Sequence, residues 1–254
     1  MAHETFTKES ATTPEGYFQV EAAGLRWLAL AGPGSAQVVR VRSVEEGRIE
    51  LDNVPNSRPS KASAEAFGHA LARTHAAGAD AFGQGPDGWD GDGFIGVQAM
   101  TLRPEDTWGV FFAEQRILPY AQAAHALGNL NDAGMRTIER IAARLADGVF
   151  DDGSAPSRIH GDLWAGNVLW SPKGVVLIDP AAHGGHGLTD LAMLSLFGAP
   201  FIDVILDAYA ESARLTEGWR GLIGLHQLHP LLVHAVTHSA AYGTQAVRLA
   251  ERFL

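Results

Sequence analysis

No cysteine occurs in the 254 residues, and that absence removes disulfides, thiolate nucleophiles and thiolate-bound zinc from the available chemistry. Lysine is nearly as scarce: Lys8, Lys61 and Lys173 are the only three. With 19 basic and 29 acidic residues the net formal charge is −10. That balance argues against a nucleic-acid partner, because such proteins neutralise phosphates with surplus Lys and Arg. No apolar run approaches the roughly 20 residues a membrane span needs, so no membrane partner is expected. Met1-Ala2-His3-Glu4-Thr5 is polar and lacks the hydrophobic stretch of a signal peptide. The expectation is a cytoplasmic protein.

What is present is core material. Apolar residues make up 46% of the chain, enough for a packed interior and against global disorder. The length suits one large domain or two modest ones. Residues 4–8 read as a short strand, and Phe18, Ala22, Leu25 and Leu28 give 17–30 the spacing of an amphipathic helix. Strand-like stretches follow at Gln37–Val44 and Arg48–Val54, separated by Glu45-Glu46-Gly47. Pro55, Asn56 and Pro59 then punctuate the chain, and a boundary is expected there, dividing a first unit (1–56) from a second (57–254). Beyond it the pattern is mainly helical: 63–77, about 105–127, 131–147, and from 187 onward with breaks at Pro200 and Gly218. The Gly-rich stretch 78–96 reads as irregular. One hairpin interrupts the helices, Val168–Trp170 and Val175–Ile178 around the turn Ser171-Pro172-Lys173-Gly174.

The chemistry concentrates around that hairpin. Residues 158–167 read Arg-Ile-His-Gly-Asp-Leu-Trp-Ala-Gly-Asn, in which Asp162 is followed five residues later by Asn167, the spacing of a kinase catalytic loop. Asn167 enters the hairpin and Asp179 leaves it, so a tight turn brings both side chains to one point. An amide oxygen and a carboxylate there are hard ligands suited to Mg²⁺ bridging the phosphates of ATP. Asp162, just before the hairpin, is placed to accept the proton of an attacking hydroxyl. His160 and Gly161 read as shaping the loop. A lone Asp-x-x-x-x-Asn would more simply cap a turn; the full set at both ends of a hairpin points to phosphoryl transfer.

His160-Gly-Asp-Leu-Trp-Ala-Gly-Asn167, followed by Ile178-Asp-Pro-Ala181, resembles the signature of fructosamine kinases, within the wider aminoglycoside-phosphotransferase and protein-kinase-like fold. Further matches are Trp108-Gly-Val-Phe-Phe-Ala-Glu-Gln-Arg116, Thr189-Asp-Leu-Ala-Met193 with Phe197-Gly198, and Pro230-Leu-Leu-Val-His234. The resemblance runs from residue 4 to the end. It implies an α+β, two-lobed kinase-like fold with a reduced N-terminal β lobe and a mainly helical C-terminal lobe. It also implies an ATP-dependent kinase phosphorylating a sugar hydroxyl of a ketoamine, which would assist deglycation. Asp162 would be the base, and Asn167 and Asp179 the Mg²⁺ ligands. Trp164 would lie beside the sugar, or else pack as a core aromatic. Asp190 would brace the loop. Phe6-Thr7-Lys8 and Phe18-Gln-Val-Glu21 match the family's phosphate-contacting lysine and its helix glutamate, where a surface ion pair is the plainer alternative. The strand ending near Val54 would lead to a hinge whose backbone at Asp52 and Val54 binds adenine.

Two departures stand out. Only seven residues precede Lys8, too few for the two strands and glycine-rich loop a kinase places there, so the phosphate cover is expected to be missing. Gly-x-Gly-x-x-Gly does occur at Gly83/Gly85/Gly88 and Gly91/Gly93/Gly96, but neither follows a strand or opens a helix; both read as a flexible loop near the substrate entrance. After Asp179, Gly185-His-Gly-Leu188 replaces a run in which the family often carries Arg and Glu. His183 and His186 follow the metal aspartate and are candidates to touch substrate. His226/His229 and His234/His238 have helical spacing but lack the glutamate of a zinc-protease helix, so polar packing is the simpler reading. Three functions compete: a ketoamine kinase, a phosphotransferase for another small hydroxyl such as an aminoglycoside, and a binding pseudokinase. A homo-oligomer whose partner subunit covers the phosphates is a further expectation.

Overall fold

The computed structural model describes residues 4–254. In its first part β1 (Thr5–Glu9) runs antiparallel to β4 (Arg48–Asp52), with Lys8 opposite Ile49, and β3 (Val41–Glu45) flanks β4 on its other side. The helix α1 (Tyr17–Ala29) buries Phe18, Ala22 and Leu25 in one cluster with Ile49 and Leu51 of β4. The strand expected over 37–44 is two pieces. β2 (Gln37–Val38) pairs parallel with β9 (Gly174–Leu177), and only β3 joins the first sheet. A short stretch of chain therefore stitches the small sheet to the hairpin formed by β8 (Val168–Ser171) and β9.

The remainder is mainly helical. Ser60 opens α2 (Lys61–Ala76) by accepting a hydrogen bond from the Ser63 amide at 3.1 Å, a cap that sets where the helix starts. α2 packs along α7 (Ile202–Ala213). The helix expected at 105–127 begins with α3 (Trp108–Phe111), widens to a π-helical segment over Phe112–Ile117, and continues as α4 (Leu118–Ala126). α5 (Asp132–Ala146), capped by Asn131, closes on it with Ile138, Ile141 and Leu145. The C-terminal part comprises α6 (Leu188–Phe197), α7, then α8 (Ile223–His226), α9 (Leu228–Thr237) and α10 (Ala240–Ala250). No helix among the described residues is long and apolar enough to cross a membrane.

Two local pairings differ from the sequence reading. The stretch 78–96 is not uniformly irregular: β5 (Gly93–Ile95) and β6 (Gln98–Met100) form a hairpin around Gly96-Val97. β7 (Ser157–Ile159) pairs with β10 (His183–Gly185), bracketing the whole His160–Ala182 segment. Strands of three residues are too short for alternation to reveal.

Candidate active site

β7 delivers the chain into the His160–Asn167 loop, and buried polar groups hold that loop in place. Asp190, in the first turn of α6, accepts hydrogen bonds from the His160 amide (2.8 Å) and the Gly161 amide (2.9 Å). His75 of α2 lies 3.0 Å from the same carboxylate and its other ring nitrogen meets the Tyr209 hydroxyl at 2.8 Å. Burial opposes the Asp190 charge, yet His75 and the loop amides outweigh it and leave its pKa below the ordinary value. His160 Nε2 reaches the Ile178 carbonyl at 2.8 Å and its Nδ1 receives the Asp162 amide at 3.3 Å. Burial lowers its pKa, so the ring is neutral, with Nε2–H donating to Ile178 and Nδ1 accepting. Gly161 has φ 81°, and a Cβ there would lie 2.2 Å from the Ala181 carbonyl oxygen, so only glycine fits.

The loop thus sets Asp162 beside the hairpin. Asn167 Nδ2 donates to the Asp162 carbonyl (2.8 Å) and more weakly to Asp162 Oδ2 (3.3 Å). Burial pushes the Asp162 carboxyl up to about 6; Asn167 draws it back, while Asp179 and Asp190 add to the rise. Asp179 follows β9 with φ 55°, an uncommon conformation for a residue with a side chain. Its Oδ1 receives Lys8 Nζ at 2.6 Å, and the same ammonium donates to Glu21 Oε1 at 2.8 Å. Burial works to lower the Lys8 pKa, but the two carboxylates prevail and raise it. Burial raises the Glu21 pKa against the pull of Lys8. Lys8, Glu21, Asp162, Asn167 and Asp179 therefore form one connected polar group drawn from β1, α1 and both ends of the hairpin.

Two cavities meet at Asp162. One of about 230 Å³ is lined by Glu21, Asn167 and Asp179 together with Tyr17 and Phe94. The other, of about 610 Å³, runs toward α9 and α10 past Met193, Phe197 and His234. Asp162, Trp164 and Gly96 border both. Trp164 is not a core aromatic. It is 44% exposed, and its indole lies so close over Gly166 that a Cβ there would come within 2.3 Å of the ring.

Other expected contacts are placed elsewhere. His183 does not reach either cavity. It is buried in β10, its Nδ1 2.7 Å from the Ala181 carbonyl and its ring against Phe111, so it is scaffold and not a substrate contact. His186 is likewise buried, beside Asp152, Trp108 and His226. Asp52 binds Arg42 through its side chain and donates its amide to Arg40 at 2.9 Å, while Val54 packs on the first sheet; neither lines the Asp162 cavities. No group of three His, Cys, Asp or Glu side chains among the described residues could hold a metal by itself. The donor set at Asn167 and Asp179 nevertheless fits Mg²⁺, which takes few protein ligands and completes its shell with water and phosphate oxygens. Neither Asn167 Oδ1 nor Asp179 Oδ2 accepts a hydrogen bond from a described residue. Tyr17, Phe94 and the α9–α10 wall escaped the sequence reading; Phe197 and the Pro230–His234 run were visible only as motif.

The family model described as fructosamine kinase matches residues 1–254. A crystal structure from Thermobifida fusca, described as a fructosamine-3-kinase, is 45% identical, covers 98% of this chain and 85% of its own, and superposes with a TM-score of 0.91. An Enterococcus faecium protein named as a ketoamine kinase is 29% identical over 249 residues, 98% of this chain and 87% of that one. The aminoglycoside phosphotransferase APH(4)-Ia shares the fold, with 16% identity and a TM-score of 0.58 over 98% of this chain and 86% of that one. The fold this chain shares with the two solved structures is the two-lobed kinase-like one, here a small β lobe and a mainly helical lobe.

Proposed function

The chain belongs to the fructosamine kinase family, a group of phosphotransferases acting on a sugar hydroxyl, and from that premise we propose that it is an ATP-dependent ketoamine kinase serving deglycation. The observation that carries the reading is Asp162, one carboxylate at the junction of a small acidic cavity and a larger apolar one. The small cavity suits the phosphate end of ATP, and Asn167 and Asp179 would hold Mg²⁺ there, supplying charge neutralisation for the transferred phosphoryl group. Lys8 would exchange part of its pairing with Asp179 for a phosphate oxygen, while Glu21 keeps its ammonium in place. The Asp162 carboxylate takes the proton of the attacking sugar hydroxyl as its oxygen bonds to phosphorus and ADP leaves. Asn167 steadies that carboxylate, and Asp190 fixes the loop behind it. The backbone at Val54 would receive adenine, the Asp52 amide being already given to the Arg40 carbonyl, and we take the two lobes to divide at residues 56 and 57.

Protein given Mg-ATP and a panel of fructosamines and ribulosamines should release ADP, with phosphate on the sugar. Folded protein that turns over no ketoamine, or prefers aminoglycosides over every ketoamine, would overturn this assignment.

A further inference from the structure

We propose that the 610 Å³ cavity beside Asp162 binds the amine substituent of the ketoamine and selects an uncharged aromatic or bulky apolar amine over one that carries a carboxylate. The inference rests on the ketoamine kinase reading and adds to it the class of amine. Its volume lies in the range that encloses a drug-sized molecule, more than a lone sugar fills. With the reacting hydroxyl held at Asp162, the rest of the space falls to whatever the sugar is attached to.

The lining defines that group. Apart from Asp162, no Asp, Glu, Lys or Arg borders the cavity. A carboxylate on the amine would lose its hydration there and find no fixed cation in return. One wall is a ready-made aromatic stack: the His234 ring lies 4.7 Å from His238, 4.8 Å from Phe197 and 5.0 Å from Tyr242, centroid to centroid. His234 Nδ1 is tied to the Pro230 carbonyl and His238 Nδ1 to the Thr237 hydroxyl, both at 2.8 Å, so the rings are held before any ligand arrives. Trp164 and Val97, 44% and 62% exposed, also border the cavity. They are among the few large apolar side chains left in the open, and an apolar substituent would cover them. An aryl group among these rings gains offset or edge-on aromatic contacts in addition to burial.

The test uses the full chain and three ribulosamines that differ only in the amine: benzylamine, methylamine and glycine. We expect kcat/KM for the benzyl adduct to exceed that for the methyl adduct by about tenfold or more. The glycine adduct should fall below both. Tyr242→Ala and His238→Ala should each shrink the benzyl-to-methyl ratio by about three- to tenfold, mainly through KM. Thr237→Arg, which places a cation at the cavity, should raise the glycine adduct relative to the methyl adduct. A benzyl-to-methyl ratio near one, or a ratio untouched by both aromatic deletions, overturns the subsite while leaving the kinase assignment intact. No ADP from any of these adducts, nor from the fructosamines of the same amines, overturns the kinase assignment. Calorimetry then decides the subsite separately, tenfold tighter binding of the benzyl adduct than of the methyl adduct supporting it and equal binding overturning it.

Discussion

Asp162 serves two opposed requirements, since burial favours its neutral form while proton acceptance needs the ionised one. With its carboxyl pushed up to about 6 in the metal-free site and Mg²⁺ beside it favouring the ionised form, kcat/KM should fall as pH drops through a value at or below 6, which a pH–rate profile with saturating Mg-ATP would read. The stability sign is the reverse. A carboxyl raised in the fold contributes stability below the ordinary carboxylate range and loses it as pH rises through about 6. Asp162→Asn keeps the neutral form at every pH and can still accept from Asn167. It should therefore cost about 10²–10⁴-fold in turnover while its thermal midpoint at pH 8 is no lower than that of the unmodified protein. Lys8 gives a second residue-scale prediction. Removing it leaves Glu21, 7% exposed in its side chain, without its counter-charge. Because Lys8 itself is 22% exposed, Lys8→Met should destabilise by about 2 kcal/mol in urea unfolding, below the value for a fully buried pair. Lys8→Met with Glu21→Gln should recover most of that stability and none of the turnover.

At the scale of elements, the site depends on where strands and helices end. β7 and β10 bracket the catalytic loop, and Gly161 at the start of that loop is the place where β10's approach leaves no room for a side chain. A contrast between two left-handed glycines isolates this. Gly128, φ 75°, has nothing within 4 Å of a built Cβ, so Gly128→Ala should cost only about 1 kcal/mol for backbone strain. Gly161→Ala carries that strain and a collision with the Ala181 carbonyl, so it should lower urea stability further and turnover by on the order of 10²-fold. The long helical runs were legible because their periodicity extends over many residues, and the hairpin because the turn Ser171-Pro172-Lys173-Gly174 separates two apolar runs. β5, β6, β7 and β10 were not, since three residues cannot establish an alternation. The widening to a π-helix at Phe112–Ile117 was hidden for a related reason: the apolar pattern continues through it, and packing against α5 and α9 decides the local turn.

Across the whole molecule, histidines held neutral in the interior tie stability to pH. Burial pushes His160, His183, His226 and His229 below the ordinary histidine range, with His229 near 3. As pH falls below about 6.5 the unfolded chain binds protons that the folded chain refuses, so their stabilising contribution is lost. The thermal midpoint should therefore decline from pH 7 to pH 5, which calorimetric scans across that interval would read. A midpoint that rises over that interval would contradict the neutral assignments. The carboxyls of Asp162 and Glu21, both raised by burial, oppose that trend. The sequence by itself brought Asp162, Asn167 and Asp179 together, because a five-residue spacing and a tight hairpin leave them one place to meet; the kinase-like fold class and the Lys8–Glu21 pair, joined at 2.8 Å, came from the family resemblance. Tertiary structure alone decided which histidines border the cavity at Asp162. His183, two residues from Ala181 and near the site in sequence, is turned into the core, whereas His234, far along the chain, lines the cavity at Asp162. Sequence distance carries no information about facing; the placement of α9 and α10 across the cavity from the loop does.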